Sequence, residues 1–247
     1  RDLPELAAAA PALQTVIIDR VNPAWELPPT MRLLKAAEVE EQPDARPPVQ
    51  VESDDLAVIL YTSGSTGKPR GVTLTHGNLA ANTRQILDYL SITADDSVLC
   101  VLPFHYSFGN SLLLTHVAVG GRVVVDNKFA YPAAVVDHLE SNRVTSFSGV
   151  PSTYAILAAR TDFLQRSWPH LRYVTQAGGA MTRALTRQVR QGLPDHVELV
   201  VMYGQTEASA RLSYVPTGKL AEKMGSIGVG IPGVDLTVRR PDGSVCD

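Results

Sequence analysis

The stretch LRYVTQAGGAMTRALTRQVRQGLPDHVELVVMYG, from Leu171 to Gly204, decides the fold class of this chain. It begins with the apolar run LRYVTQAG, which predicts a buried strand, and it ends with a second such run, HVELVVMYG. Between them lies MTRALTRQVRQG, whose apolar residues recur at helical spacing. Two strands joined by a helix pair in parallel, because the helix returns the chain to the starting edge of the sheet. The stretch therefore predicts an α/β domain.

The same alternation of strand and helix continues towards the N-terminus. Strands are predicted at TVIID, LAVILY, SVLCVLP, RVVVD and VTSFSGV, and the run LAVILY is expected to be buried. Helices are predicted at THGNLAANTRQILDYL, SFGNSLLLTHVAVGG, YPAAVVDHLESN and PSTYAILAAR. Thr75 is the expected N-cap of the first of these helices, glycines end the second, and Pro132 lies in the first turn of the third. We expect a mainly parallel sheet flanked by helices.

Composition and charge exclude several classes of function. The net charge of −3 over 247 residues provides no field that would attract nucleic acid. No stretch approaches about 18 consecutive apolar residues, so no membrane span is predicted. Two cysteines, Cys100 and Cys246, are too few for a disulfide framework and suit a reducing compartment, so a cytoplasmic location is expected.

The ends of the chain and one polar segment predict its organisation. The segment EEQPDARPPVQV, Glu40 to Val51, is rich in proline and charge and indicates an exposed connection. We therefore expect residues 1–51 to form an entry segment with this connection and residues 52–247 to form the α/β core. The chain opens abruptly, and its final PDG turn predicts a hairpin whose second strand has barely begun. Both ends predict a piece of a longer protein.

Three loops rich in glycine and hydroxyl groups follow predicted strands. They are TSGSTG after Tyr61, QAGGAM after Thr175 and YGQTEAS after Met202. Ligands of open parallel sheets bind at the carboxyl ends of the strands, so the three loops are expected to share one site. Small residues let backbone N–H groups converge on an anion, and hydroxyls add further donors, which suits a polyphosphate.

The first loop does not match two familiar motifs. A P-loop requires glycine where Thr62 stands and serine or threonine where Pro69 follows Lys68. A serine-hydrolase elbow requires G-x-S-x-G, and GSTG does not supply it. Taken alone, the loop fits a mobile polar surface loop equally well.

The segment YTSGSTGKPRGV, Tyr61 to Val72, resembles the phosphate-binding signature of the adenylate-forming enzymes. This superfamily includes acyl- and aryl-CoA synthetases, peptide-synthetase adenylation domains and luciferase. Four further segments resemble its motifs in the same order: LPFHYSFG near the carboxylate pocket, QAGGAM along the adenine, VMYGQTEASA for Tyr-Gly-x-Thr-Glu, and GSIGVGIPGVDLTV after it. The resemblance implies the fold of the large N-terminal AMP-binding domain, with more than one subdomain.

The resemblance also implies an activity. ATP, with Mg²⁺, would convert a carboxylic acid to an acyl-adenylate and release pyrophosphate. The acyl group would then pass to the thiol of CoA or of pantetheine on an acyl carrier protein. An amino-acid-activating adenylation domain, a non-catalytic nucleotide-binding module and an unrelated phosphate-binding hydrolase are the alternatives. The family's small C-terminal lid domain, with a catalytic lysine, does not lie within this chain, so the chain alone is expected not to turn over.

Roles for single residues follow from the resemblance. Those expected around the β- and γ-phosphates are Thr62, Ser63, Gly64, Ser65, Thr66, Gly67 and the catalytic Lys68. The backbone of Gly178, Gly179 and Ala180 would follow the purine. Arg70 stands where the family has lysine; it keeps the charge but changes its geometry.

The YGQTE segment carries the remaining implied contacts with nucleotide and metal. Tyr203, followed by Gly204, would stack on adenine, and Thr206 would donate a hydrogen bond to the α-phosphate. Glu207 would ligate Mg²⁺, a hard cation that prefers carboxylate oxygen. The structural alternative is that Thr206 is a helix N-cap and Glu207 an acid in the first turn.

The identity of the acid depends on His105. Amino-acid-activating relatives hold the substrate ammonium with an aspartate in the segment that matches FHYS, and His105 takes that place here. A neutral or cationic imidazole cannot replace a carboxylate as the partner of an ammonium, so an apolar aliphatic or aryl acid is predicted, with His105 beside the substrate.

Overall fold

The computed structural model describes residues 3–4, 8, 15–18, 25–29, 31–35, 38, 49–62, 68–127 and 129–246. Two compact units divide the chain, Arg1–Gln50 and Val51–Asp247. In the first unit, β1 (Thr15–Ile18) pairs in parallel with β2 (Arg32–Lys35), which confirms the strand predicted at TVIID. Most of the predicted connection at Glu40–Val51 lies outside the described residues.

The second unit is built on a seven-stranded sheet. Its strands are β5 (Ser97–Cys100), β6 (Arg122–Val125), β7 (Ser146–Gly149), β8 (Tyr173–Gln176), β9 (Glu198–Tyr203), β10 (Ser213–Tyr214) and β11 (Val229–Gly230). Their order is β11-β10-β9-β8-β7-β5-β6. The pairs from β6 to β9 are parallel, and β10 and β11 add two antiparallel strands. The prediction of a mainly parallel sheet is confirmed.

Five helices of the second unit cover the two faces of this sheet, counted over residues 68–127 and 129–246. They are α1 (His76–Leu90), α2 (Ser107–Val119), α3 (Pro132–Ser141), α4 (Pro151–Arg160) and α5 (Arg183–Gly192). Helices α3, α4 and α5 bury the largest apolar cluster against one face, and α1 and α2 pack on the other. Both faces of the central strands are therefore shielded from solvent, as expected for a parallel sheet.

Local sequence signals account for the helix ends. The Thr75 hydroxyl accepts a hydrogen bond from the Asn78 N–H, and the Asn78 side chain accepts one from the Thr75 N–H, forming a capping box. Gly120, at φ +75°, ends α2 in the left-handed conformation that glycine adopts without strain. Pro132 starts α3, where its missing N–H costs no helical hydrogen bond. These three predictions are confirmed.

The strand at LAVILY differs from its prediction. It forms β3 (Leu56–Thr62), which pairs antiparallel with β4 (Arg70–Thr75) in a separate two-stranded sheet. Leu60 is the only buried residue of β3, so the prediction of a buried strand is wrong. The physical reason is that, among the described residues, β3 pairs only with β4, so it is not enclosed between neighbours like the central strands of the large sheet.

Candidate functional site

Two of the predicted loops lie side by side at one edge of the sheet. Strands β8 and β9 are parallel neighbours, with Gln176 paired to Val201, so the loops that follow them leave the same edge. Together they form a cavity of about 440 Å³. Its lining includes Gly178, Gly179, Ala180, Tyr203 and Gly204, all of which the sequence predicts as cofactor-binding.

Four glycines contribute to this cavity wall: Gly178, Gly179, Gly204 and Gly225. Gly178 adopts φ +79°, and a Cβ there would come within 3.1 Å of a Val150 methyl carbon. A Cβ on Gly204 would lie 1.7 Å from the carbonyl oxygen of Ala210, so no larger residue fits without a shift of the main chain. The buried Gln176 side chain donates a hydrogen bond to the Gly179 carbonyl at 2.8 Å and fixes the loop. Such a wall allows a flat ligand to approach the main chain closely.

Tyr203 contributes an aromatic surface to the same cavity. The residue is half-buried at the end of β9, and its hydroxyl accepts a hydrogen bond from the Gln205 amide. An aromatic ring beside exposed backbone is suited to stacking with a purine base.

The Thr-Glu segment forms a short turn in the hairpin between β9 and β10. Thr206–Ala208 is a 3₁₀ helix whose N-cap is Gln205, and no side-chain hydrogen bond caps it. Thr206 is therefore not the N-cap, and this part of the structural alternative is wrong. The Thr206 hydroxyl instead lies 3.3 Å from the Ser107 hydroxyl, and Ser107 is the first residue of α2. Glu207 is exposed on the same turn.

A second cavity of about 390 Å³ adjoins the first. The two share Gly178 and Gly204 in their walls, and Thr206 lines only the second. The rest of its lining is mainly apolar: Leu102, Tyr106, Ser107, Phe108, Val150, Ala177, Gln205, Ala210 and Arg211. The arrangement can hold a planar group in one cavity and an apolar group in the other, with Thr206 bordering the second.

The loop of the YTSGSTGKPRGV segment lies between different strands from those predicted. It joins the antiparallel strands β3 and β4 and does not follow a strand of the parallel sheet, so that part of the prediction is wrong. Strand β4 nevertheless lies against the Thr206–Ala208 turn. Thr62 is half-buried, Lys68 and Arg70 are exposed, and residues 63–67 (Ser63, Gly64, Ser65, Thr66 and Gly67) lie outside the described residues.

His105 is exposed in the turn before α2, with its ring centroid 4.5 Å from that of Tyr106. It does not line either cavity among the residues that the structure describes, and its role beside the substrate stays a prediction.

The described residues contain no group of three or more His, Cys, Asp or Glu that could hold a metal ion. A single exposed carboxylate, as at Glu207, still fits Mg²⁺, because this ion is commonly held by one or two carboxylates together with substrate phosphates.

Three residues of this site escaped the sequence reasoning: Ser107, Gln176 and Arg211. Ser107 contacts a residue 99 positions away, and Arg211 is 1% exposed although it follows a polar loop. Gln176 had a readable signal, since it opens the QAGGAM motif at the end of a strand. The contacts of the other two depend on the tertiary structure.

The fold and site together define an α/β domain with two adjoining cavities at the carboxyl edge of its sheet. The chain belongs to the AMP-binding enzyme family, which matches residues 1–246. It is 34% identical over 216 residues to a feruloyl-CoA synthase of an Amycolatopsis species, covering 86% of this chain and 43% of that protein. It is 32% identical to an indoleacetate–CoA ligase of Aromatoleum aromaticum, covering 97% of this chain and 47% of that protein.

Solved structures of the same kind resemble the chain. The O-succinylbenzoate coenzyme A synthetase of Bacillus subtilis in complex with ATP and magnesium gives a TM-score of 0.75 at 27% identity, over 88% of this chain and 45% of that one. The same enzyme with AMP gives a TM-score of 0.79 at 25% identity, over 98% of this chain and 49% of that one. The chain thus spans about half the length of the curated relatives it matches. Within the described part of the chain, no helix is long and apolar enough to cross a membrane.

Proposed function

We propose that this chain is most of the large AMP-binding domain of an AMP-forming acid–thiol ligase. The full-length enzyme would activate a carboxylic acid as its acyl-adenylate and then transfer the acyl group to a thiol. The observation that carries the proposal is the pair of adjoining cavities that share Gly178 and Gly204, with Thr206 lining the apolar one. An acyl-adenylate carries a planar base on one side of its phosphate and an acyl group on the other, so it would need one cavity for each group.

Nucleotide binding would use the first cavity and the phosphate loop. Adenine would stack on Tyr203, against the backbone of the glycine loop at residues 178–180. The triphosphate would extend towards the loop between β3 and β4, which Thr62 and Lys68 flank, and the hydroxyls of Ser63, Ser65 and Thr66 would supply donors. The proximity of β4 to the Thr206–Ala208 turn supports this path.

The first reaction forms a bond between a carboxylate oxygen and the α-phosphorus, and it breaks the bond from that phosphorus to the oxygen that leaves with pyrophosphate. Thr206 would donate its hydroxyl proton to the α-phosphate, and Ser107 would orient that hydroxyl through their 3.3 Å contact. Lys68 would offset negative charge on the departing phosphates. Glu207 would hold Mg²⁺, which supplies charge neutralisation at the phosphates when bound.

The second cavity supports an acid with an apolar aliphatic or aryl body. Phe108, Leu102 and Val150 supply apolar lining, and the described lining residues include no carboxylate that could pair with an ammonium. The buried cation Arg211 also disfavours an amino group. The acceptor would be the thiol of CoA, with pantetheine on an acyl carrier protein as the alternative. The two free cysteines are consistent with a cytoplasmic enzyme.

Carboxylate-dependent exchange of labelled pyrophosphate into ATP, measured on the full-length protein, tests the proposal. The panel contains fatty acids, aryl acids, dicarboxylic acids and the common amino acids. Exchange with an aliphatic or aryl acid is the expected result. ATP binding without any exchange would favour a non-catalytic nucleotide-binding module. Carboxylate-independent ATP hydrolysis would favour a hydrolase. The highest kcat/KM for an α-amino acid would refute the assignment of the acid.

A further inference from the structure

Arg211 is a buried cation without an acidic partner in the described part of the chain. It is 1% exposed, lies at the start of the return from the Thr-Glu turn to β10, and lines the second cavity. The ion pairs of the described residues do not include it. Burial of a charge without a counterion destabilises the folded protein, so packing alone does not account for an arginine at this position.

The groups around the guanidinium are neutral. One terminal nitrogen lies 2.6 Å from the Met202 sulfur and 3.4 Å from the Tyr89 hydroxyl, and the other donates to the Ser111 hydroxyl at 3.1 Å. The guanidinium carbon lies 4.4 Å from the centre of the Phe108 ring. Burial raises the pKa of Tyr89, against the opposing effect of Arg211, so this phenol stays neutral and does not balance the charge.

One N–H of Arg211 also lacks an acceptor among the described residues. The Nε atom is buried, and no described group forms a hydrogen bond with it. A buried donor left unpaired destabilises the free protein, and an incoming acceptor would relieve that cost. The backbone of the same residue is fixed, because its N–H donates to the Asn82 side chain at 3.2 Å and its carbonyl accepts from that side chain at 2.9 Å. The cation is thus held in place before any ligand binds.

Helix α2 gives the spacing between Arg211 and the reacting end of the acid. Ser107, in the first turn, contacts the hydroxyl of Thr206, and Ser111, four residues further along, contacts the Arg211 guanidinium. Four residues of α-helix advance by about 6 Å. A carboxylate near Thr206 would therefore lie roughly one helical turn from the guanidinium.

We propose that Arg211 is a specificity-determining residue that pairs with a second carboxylate on the acid, so that the enzyme prefers dicarboxylic acids with an apolar body. The two carboxyl groups would be about 6 Å apart, similar to the rise along the helix between Ser107 and Ser111. The inference rests on the proposed function, because it assigns the acid of that same site.

Matched pairs of acids test the inference in the full-length enzyme. Adipate is compared with hexanoate, and terephthalate with benzoate, by kcat/KM for pyrophosphate exchange. In the wild type, kcat/KM for each dicarboxylate is expected to exceed that for its monocarboxylate partner by about ten- to hundredfold, the size expected of a charge-assisted hydrogen bond. Arg211→Met is expected to abolish or reverse this ratio, and Arg211→Lys to keep part of it because the charge remains.

Thermal stabilisation by adipate and by hexanoate, measured on the same proteins without turnover, provides a second readout. Preferential stabilisation of the wild type by adipate, lost in Arg211→Met, supports the inference even if no acid gives exchange; that outcome would refute the proposed function alone. Equal kcat/KM for both members of each pair in the wild type overturns the inference and leaves the proposed function standing. An equal decrease in kcat/KM for mono- and dicarboxylates in Arg211→Met also overturns it, because Arg211 would then act on the reacting carboxylate or stabilise the fold. If the variants fail to fold, the wild-type ratios decide.

Discussion

Replacing Gly204 by alanine is the most direct perturbation of the wall that the two cavities share. An alanine Cβ at this position would lie 1.7 Å from the Ala210 carbonyl oxygen and 2.6 Å from its carbon. Both atoms belong to the main chain of the hairpin between β9 and β10, so a change of rotamer cannot relieve the clash. The hairpin must move, and with it the Thr206 hydroxyl that contacts Ser107.

The size of the effect follows from this geometry. Overpacking a well-packed region costs roughly 1–3 kcal/mol, and a clash with main chain belongs in the upper part of that range, about 2–3 kcal/mol. For a protein of this size each kcal/mol lowers Tm by about 2–4 °C, so a decrease of roughly 4–12 °C is expected. Nucleotide binding should weaken as well, because the shared wall changes shape.

Urea unfolding and thermal melting measure the stability, and titration with ATP measures binding. Gly218→Ala is the matched control, because a Cβ there meets nothing within 4 Å on an exposed turn, and a change within about 0.5 kcal/mol is expected. A Gly204→Ala protein with the stability and ATP affinity of the control would refute the close packing of this hairpin and its place in the proposed nucleotide site.

Three further predictions concern the site and the stability of the fold. Glu207→Ala in the full-length enzyme is expected to slow pyrophosphate exchange by about 10²–10³-fold, and Arg70→Lys to stay within about tenfold; near-wild-type exchange would remove Glu207 from the site. Asp96→Asn is expected to lower the unfolding free energy by about 1–3 kcal/mol in urea at pH 7, because Arg172, Thr145 and the Thr93 N–H all donate to this buried carboxylate. Burial alone would raise the pKa of Asp96, but these hydrogen bonds lower it below 3.8. The difference in unfolding free energy between Asp96→Asn and the wild type should therefore shrink as pH falls below 3.8, and a difference that does not change with pH would contradict this. Burial lowers the pKa of His116, and its Nε2 has no hydrogen-bond partner within the part of the chain that the structure describes. The wild type should therefore lose unfolding free energy as pH falls from 6.5 towards the folded-state pKa; His116→Gln should lose less over that interval, and parallel pH profiles would contradict this.

The sequence alone determined which segments form the strands of the parallel sheet and its helices, and the order in which they alternate. Each buried strand has a run of apolar residues, and each helix has apolar residues at helical spacing. The reason is that the positions facing the core recur with the geometry of the element itself. Helix starts were equally local, since the Thr75 capping box and Pro132 act within one turn. The meeting of the QAGGAM and YGQTEAS loops also followed from the sequence, because parallel strands expose their carboxyl ends at the same edge.

Only the tertiary structure decided which distant segments meet. The strand β4 was not predicted, because RGVTLT carries weak periodicity and becomes a strand through its pairing with β3. The position of β5 between β6 and β7 is likewise a matter of long-range pairing. The Ser107–Thr206 contact and the burial of Arg211 join residues 99 and 100 positions apart. A charged residue after a polar loop is expected to be exposed. The burial of Arg211 depends on helices that precede it by about a hundred residues.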